Sequence, residues 1–182
     1  MNRLQTDLIL LGLLKAGPKH GYEIKKTIAR DLGTITTCDL KSIYYPLRSL
    51  EKRELVVKTA GRAGKRPEKF VYRITRRGER VFEKLFAENF LTFLRPIFNI
   101  DLSLFFLPLV KSGIARPLLR RRLRGMLKIR SWLQCHLDQA KQGGEKASRH
   151  LRAILDHQIE LTEADIRFTE KLLRGPPLSS RR

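Results

Sequence analysis

The chain has 182 residues and a formal charge of +20, from 38 Lys and Arg against 18 Asp and Glu. Hydrophobic residues make up 42% of it, enough to build a core, which excludes wholesale disorder. The excess charge is shared, with 20 cations against 9 acids up to residue 86 and 18 against 9 beyond it, so a basic tail on a neutral domain is excluded and a polyanionic partner is implied.

A first helix is expected from Thr6 to about Lys15, with Thr6 as cap and Leu8, Ile9, Leu11 and Leu14 recurring at helical spacing. Gly17-Pro18 ends it. A second helix spans about Gly21 to Leu32, with Tyr22, Ile24, Ile28 and Leu32 as its apolar stripe and Gly33 as its stop. A third covers about Lys41 to Arg53, where Ile43, Leu47 and Leu50 share one face. Pro46 fits this helix only near its first turn, so the cap is either Asp39 or Ser42. Two strand-like runs follow, Leu55 to Thr59 and Phe70 to Ile74, joined by a basic loop from Ala60 to Lys69 that is too long for a tight hairpin. Thr75 caps a fourth helix that heads toward Arg95 and stops before Pro96. Beyond it, periodic apolar residues predict long helices over about Ile114 to Gln142 and Lys146 to Leu173, broken at Gly143-Gly144.

The expected fold class is mainly α, a winged helix-turn-helix followed by a helical dimerisation region. The expected division is residues 1–86 for DNA binding, 87–175 for the C-terminal helices and 176–182 as a disordered tail. In such a module the third helix enters the major groove, where base edges carry a distinguishable donor and acceptor pattern, and the wing grips the neighbouring backbone. The third helix opens with Lys41, Ser42, Tyr44, Tyr45 and Arg48, and the wing carries Arg62, Lys65, Arg66 and Lys69 with Glu68 as the loop's one acid. Adjacent helical residues point about 100° apart, so Tyr44 and Tyr45 cannot both face one core.

The motifs Pro18-Lys19-His20-Gly21-Tyr22-Glu23-Ile24, Ser42-Ile43-Tyr44, Leu47-Arg48-Ser49-Leu50-Glu51, and Arg66-Pro67 with Tyr72-Arg73-Ile74-Thr75-Arg76-Arg77-Gly78 resemble the PadR family of regulators over about residues 5 to 85. The second half resembles the subfamily with a long helical C-terminal region, through Leu102 to Leu109 and His157-Gln158-Ile159-Glu160-Leu161. The resemblance implies a homodimeric transcriptional regulator of double-stranded DNA, usually a repressor, whose C-terminal helices exchange contacts with the partner and which responds to a small-molecule effector. It makes Tyr44 the family's tyrosine on the recognition helix and Ser42 the small hydroxyl before it. Glu54 departs from the pattern, standing where the family commonly has glycine between the recognition helix and the first wing strand.

Other features carry more than one reading. His20-Gly21-Tyr22 is a packed helix start or a phosphate contact. Arg120 to Arg124 form a solvated face, extra DNA contacts or a site for an acidic partner. Trp132 and Leu133 pack in a core or dimer seam, or line an effector pocket. Phe90, Phe93, Phe98, Phe105 and Phe106 are expected in the core, with shaping of the joint between the modules as a second role.

Catalysis is not expected, because there is no Gly-rich phosphate loop, nucleophile elbow or His-Glu zinc helix, and the four histidines have no nucleophile beside them. Cys38 and Cys135 lack ligand spacing and are expected as reduced thiols in a cytoplasmic protein, with no metal and no cofactor. The apolar runs at Leu8 to Leu14 and Ile97 to Val110 are too short or too interrupted for a signal peptide or membrane span. The rivals to a regulator are a basic amphipathic protein of the membrane surface and an architectural or RNA-binding winged helix.

Overall fold

The computed structural model describes residues 3–33, 43–61, 69–93, 98–111, 113–142 and 145–175. The chain divides into two compact units, Met1–Leu94 and Arg95–Arg182.

The first unit runs α1 (Arg3–Lys15), β1 (Lys19–His20), α2 (Gly21–Thr27), a π-helical turn (Ile28–Leu32), α3 (Tyr44–Lys52), β2 (Val56–Gly61), β3 (Lys69–Ile74) and α4 (Arg76–Phe90). The helix α1 starts three residues earlier than expected, so Thr6 lies inside it and does not cap it. Arg3, Leu4 and Gln5 are good helix formers and extend it. The helix α3 begins at Tyr44, which places Pro46 in the first turn, where its missing N–H has no intrahelical acceptor to serve. Both proposed caps, Asp39 and Ser42, lie outside the described residues.

The sheet has three strands in the order β1–β3–β2, all antiparallel. The two wing strands fall within a residue or two of their sequence positions, but β1 was not foreseen. It is only two residues long, too short for any periodicity, and pairs Lys19 with Tyr72 and His20 with Val71. Leu10, Leu11, Leu14, Ile24, Ile28, Ile43, Leu47 and Leu50 are buried with Leu55, Val56, Tyr72 and Leu85 in one continuous core.

Two polar features brace this core. Asp7 is buried on α1, and Arg53 Nη2 donates to its Oδ2 at 2.7 Å. Arg53 Nε also donates to the Ser49 carbonyl, so the guanidinium ties α1 to the end of α3. At the start of α4, Thr75 Oγ1 accepts from the Gly78 N–H at 2.9 Å and donates to the Glu54 carbonyl at 2.8 Å. A Cβ on Gly78 would sit 2.1 Å from the Leu55 carbonyl oxygen, so only glycine lets this turn lie against the entry of β2.

The helix α4 stops at Phe90, short of the expected approach to Arg95. Thr92 Oγ1 donates to the Glu88 carbonyl at 2.6 Å, and the Leu91 N–H bonds to Ala87, so two orphan carbonyls are satisfied there.

The second unit contains α5 (Asn99–Phe105), a 3₁₀ turn (Leu107–Leu109), α6 (Ala115–Gln142) and α7 (Glu145–Arg174). The last two match the predicted long helices to within a residue or so. They form an antiparallel hairpin. Arg152 Nε donates to Ala140 O near the turn, and Arg116 Nη2 donates to Gly175 O at the far end. On α6 the buried residues Leu119, Met126 and Leu133 recur every seven, followed by Leu137, and they meet Leu155, Ile166 and Thr169 of α7.

The expectation that Phe90, Phe93, Phe98, Phe105 and Phe106 pack in a core is overturned. All five are exposed, Phe93 to 91%. Two of the five meet edge to face, Phe105 with Phe106 at 5.0 Å between ring centroids, and Phe90 packs at a tilt against Phe86 at 5.6 Å. The five follow helix ends or sit on short elements, where a single chain has no second apolar layer to cover them.

Candidate DNA interface

The site is built on α3. Ile43, Leu47 and Leu50, four and three apart, are all buried and anchor one side of the helix. The same spacing turns Tyr44, Tyr45, Arg48 and Lys52 to solvent, with Tyr44 61% and Tyr45 81% exposed. The two tyrosines diverge. Tyr45 lines a hollow beside α1 with Arg3, Asp7 and Ser49, and Tyr44 points toward the wing.

On the wing side Tyr44 and Arg48, one helical turn apart, line a cleft of about 650 Å³ with Tyr22, Glu51, Lys58 and Phe70. The register explains how the strand residues reach it. Val56, Lys58 and Ala60 lie on one face of β2, opposite Ile74, Tyr72 and Phe70 of β3. That face is core at Val56 and Tyr72 and becomes cleft wall at Lys58 and Phe70. The Lys58 ammonium sits 3.5 Å from the centroid of the Phe70 ring, a cation–π contact that holds it at the cleft wall. Burial first, then the Glu51 carboxylate, push the Tyr72 phenol above its ordinary pKa, so it stays a neutral donor beneath the cleft.

The start of α2 closes the cleft. His20 Nδ1 donates to the Phe70 carbonyl at 3.1 Å, since a carbonyl can only accept, and Glu23 Oε2 accepts from the His20 N–H at 2.7 Å. His20 therefore ties β1 and α2 to the wing, while Tyr22 stays exposed. A Cβ on Gly21 would lie 3.0 Å from Tyr44 Cε1, so the bare glycine is the shelf on which that ring rests.

Of the sequence-selected contacts, Tyr44, Tyr45 and Arg48 are exposed together on α3. Lys69 opens β3 opposite Gly61. Lys41, Ser42, Arg62, Lys65 and Arg66 lie outside the described residues. Sequence reasoning missed Lys58, Phe70 and Glu51 as neighbours of Tyr44. Counting by twos from the core residue Val56 would have put Lys58 on the right face.

In the second unit, Trp132 and Leu133 part company. Leu133 is buried between α6 and α7 with Leu137 and Leu155. Trp132 is 45% exposed and packs at a tilt against His136, 4.1 Å between centroids, with His136 Nδ1 donating to the Trp132 carbonyl at 2.8 Å. An apolar hollow of about 230 Å³ lies elsewhere in that unit, walled by Ile100, Leu104, Leu107, Leu118 and Leu119 with Arg122 at its edge. Arg122 pairs with Asp165, and its buried Nε has no partner among the described residues. Cys135 is exposed and free, and Cys38 lies outside the described residues. Among the described residues no group of three or more His, Cys, Asp or Glu could hold a metal, and no helix is long and apolar enough to cross a membrane.

A three-helix core with a paired wing and an exposed aromatic and cationic helix defines the winged helix-turn-helix of DNA-binding transcriptional regulators. Residues 10–84 match the model of the transcriptional regulator PadR-like family. Among solved structures, Bacillus subtilis PadR in complex with operator DNA superposes with a TM-score of 0.71 at 20% identity, covering 92% of this chain and 96% of that one. The same protein in complex with p-coumaric acid gives 0.70 at 18% identity, covering 95% and 96%. The Vibrio cholerae virulence activator AphA gives 0.72 at 17% identity, covering 92% and 95%. At these identities the likeness is one of fold. Among curated proteins, none matches the chain.

Proposed function

We propose that the chain is a homodimeric, sequence-specific binder of double-stranded DNA that represses transcription in the cytoplasm and lets go of its operator when a small molecule binds. The observation that carries the reading is the split of α3 into a buried side, Ile43, Leu47 and Leu50, and an exposed side, Tyr44, Tyr45 and Arg48. Burial fixes the helix while leaving aromatic and guanidinium groups free to meet base edges, with arginine suited to the O6 and N7 of guanine. In this reading Lys41 and Ser42 begin the same contact surface, and Arg62, Lys65, Arg66 and Lys69 neutralise phosphates from the wing.

The exposed phenylalanines and the half-exposed Trp132 support a dimer, since a second copy would cover what one chain leaves wet. The hollow beside Ile100 and Leu118 suits a small, mostly apolar effector, with Trp132 as an alternative contact. Bacillus subtilis PadR, a neighbour in fold, has been crystallised with p-coumaric acid, which makes aromatic acids a sensible first panel.

Genomic fragments captured by the purified protein, followed by footprinting of the enriched sequences, test the reading. A protected inverted repeat with half-sites about 34 Å apart is expected from a two-fold dimer. Uniform capture of all fragments, or none, overturns it.

A further inference from the structure

The positive charge of the second unit is concentrated on one helix. Between Ala115 and Leu137, α6 carries seven Lys or Arg and no Asp or Glu. Its hairpin partner α7 is balanced, with six of each sign. A helix solvated for its own sake alternates its charges, as α7 does.

Four of the α6 cations, Arg116, Arg120, Arg124 and Lys128, follow one another at intervals of four and form a single ridge about 18 Å long. All four are exposed, and Arg120, Arg124 and Lys128 lie on the side turned away from Leu119, Met126 and Leu133. Like charges at this spacing repel, so the row is held at a cost that α6 does not relieve for itself.

Neither does α7 relieve it. Asp165 is taken by Arg122, which lies off the ridge. Glu163 pairs with Arg167 and Glu170 with Arg174, each within α7. Arg116 donates to the Gly175 carbonyl, and among the described residues Arg120, Arg124 and Lys128 have no hydrogen-bond or ion-pair partner.

We propose that this ridge is a second phosphate-binding surface that holds the sugar-phosphate backbone of duplex DNA independently of the recognition helix. The inference rests on the regulator reading, because a chain already held on DNA by its first unit presents the ridge to duplex at high effective concentration. The ridge carries no base-reading chemistry of its own, so it adds sequence-independent affinity that is steep in salt. The phosphates belong either to the same duplex or to a second one that the protein brings alongside.

The test uses the full chain and a triple variant, Arg120→Ala with Arg124→Ala and Lys128→Ala, whose helicity is checked by circular dichroism. Anisotropy of a labelled random-sequence duplex of about 40 base pairs is followed across a salt series. The variant should lose roughly 2–3 from the slope of log affinity against log salt, about 0.9 per phosphate contact removed. A two-colour assay then separates the sources. Ridge-dependent co-capture of two labelled duplexes assigns the contact to a second duplex, and loss of slope without co-capture assigns it to the first.

Equal slopes for the two proteins overturn the ridge and leave the regulator reading intact. Ridge-dependent flotation with phosphatidylserine vesicles, with equal DNA slopes, also overturns it and points to a membrane surface. Wild-type protein that binds no duplex at all overturns the regulator reading together with the ridge.

Discussion

The two units solve the burial problem differently. The first closes a core from helices and sheet together, so that Leu10, Ile24, Leu47 and Leu50 reach full burial within one chain. The second has a seam one residue wide, centred on Leu133, Leu137 and Leu155, and leaves Leu102, Phe105, Phe106, Leu109, Leu118 and Ile129 largely in water. Two helices can bury only the stripe that faces between them, and a third layer must come from outside. The first unit therefore closes its core within one chain, and under the proposed dimer a partner covers what the second leaves open.

The sharpest way to break this comparison is to cut into each core. Leu47→Ala should cost roughly 2–5 kcal/mol of stability, and its melting temperature should not depend on protein concentration. Melting of the second unit should rise with protein concentration, and Leu155→Ala should steepen that dependence. Calorimetry over a hundredfold range of concentration checks both. Concentration-independent melting of the second unit would mean that it, too, stands alone.

The Asp7–Arg53 pair probes the same closure. Arg53→Ala strands a carboxylate that is almost fully buried, which costs roughly 2–3 kcal/mol once the partial exposure of Arg53 is discounted. Asp7→Ala should cost less, because the guanidinium left behind can turn to water. Urea unfolding of the two single variants gives the order, and a larger loss for Asp7→Ala would contradict the burial asymmetry.

At the interface the contrast lies within the first unit, between α3 and the wing. Tyr44→Ala or Arg48→Ala should weaken operator binding by roughly 1–3 kcal/mol and leave random-sequence DNA nearly untouched. Lys65→Ala or Arg66→Ala should weaken both alike and lower the salt slope by about 1 each. Competition anisotropy with operator and random duplex distinguishes these patterns.

Much of this was legible in the residues themselves. Ile43, Leu47 and Leu50 set the buried side of α3 by spacing alone, and Pro46 limited where that helix could start. Thr75 announced the start of α4 as its cap. What escaped was non-local. The two-residue β1 exists because β3 is there to pair with it, and nothing in Lys19-His20 states that. Alternation from Val56 gives the face of Lys58, but that it stands beside Phe70 and Tyr44 depends on the pairing of β2 with β3. The exposed phenylalanines carry the same hydrophobic signal as core residues, and sequence cannot tell a core within one chain from one shared between two.

Glu54 joins both sides of that lesson. The helix α3 ends in a Schellman motif, in which the Leu55 N–H bonds to Leu50 O at 3.0 Å and the Glu54 N–H bonds to Glu51 O at 2.9 Å. The motif needs a left-handed residue between helix and wing, and Glu54 supplies it at φ 59°. A side chain there costs roughly 1–2 kcal/mol, which glycine would avoid. Against that, glycine adds freedom to the unfolded chain and gives up the 2.9 Å pair with Arg77, an exposed contact of little worth. The balance favours Glu54→Gly by about 1 kcal/mol or less, the smallest effect here and the only one in the stabilising direction. It should show as a rise in the urea midpoint with an unchanged slope, while operator affinity holds. A fall in the midpoint would mean that the Arg77 pair, and not the backbone, sets the joint between recognition helix and wing.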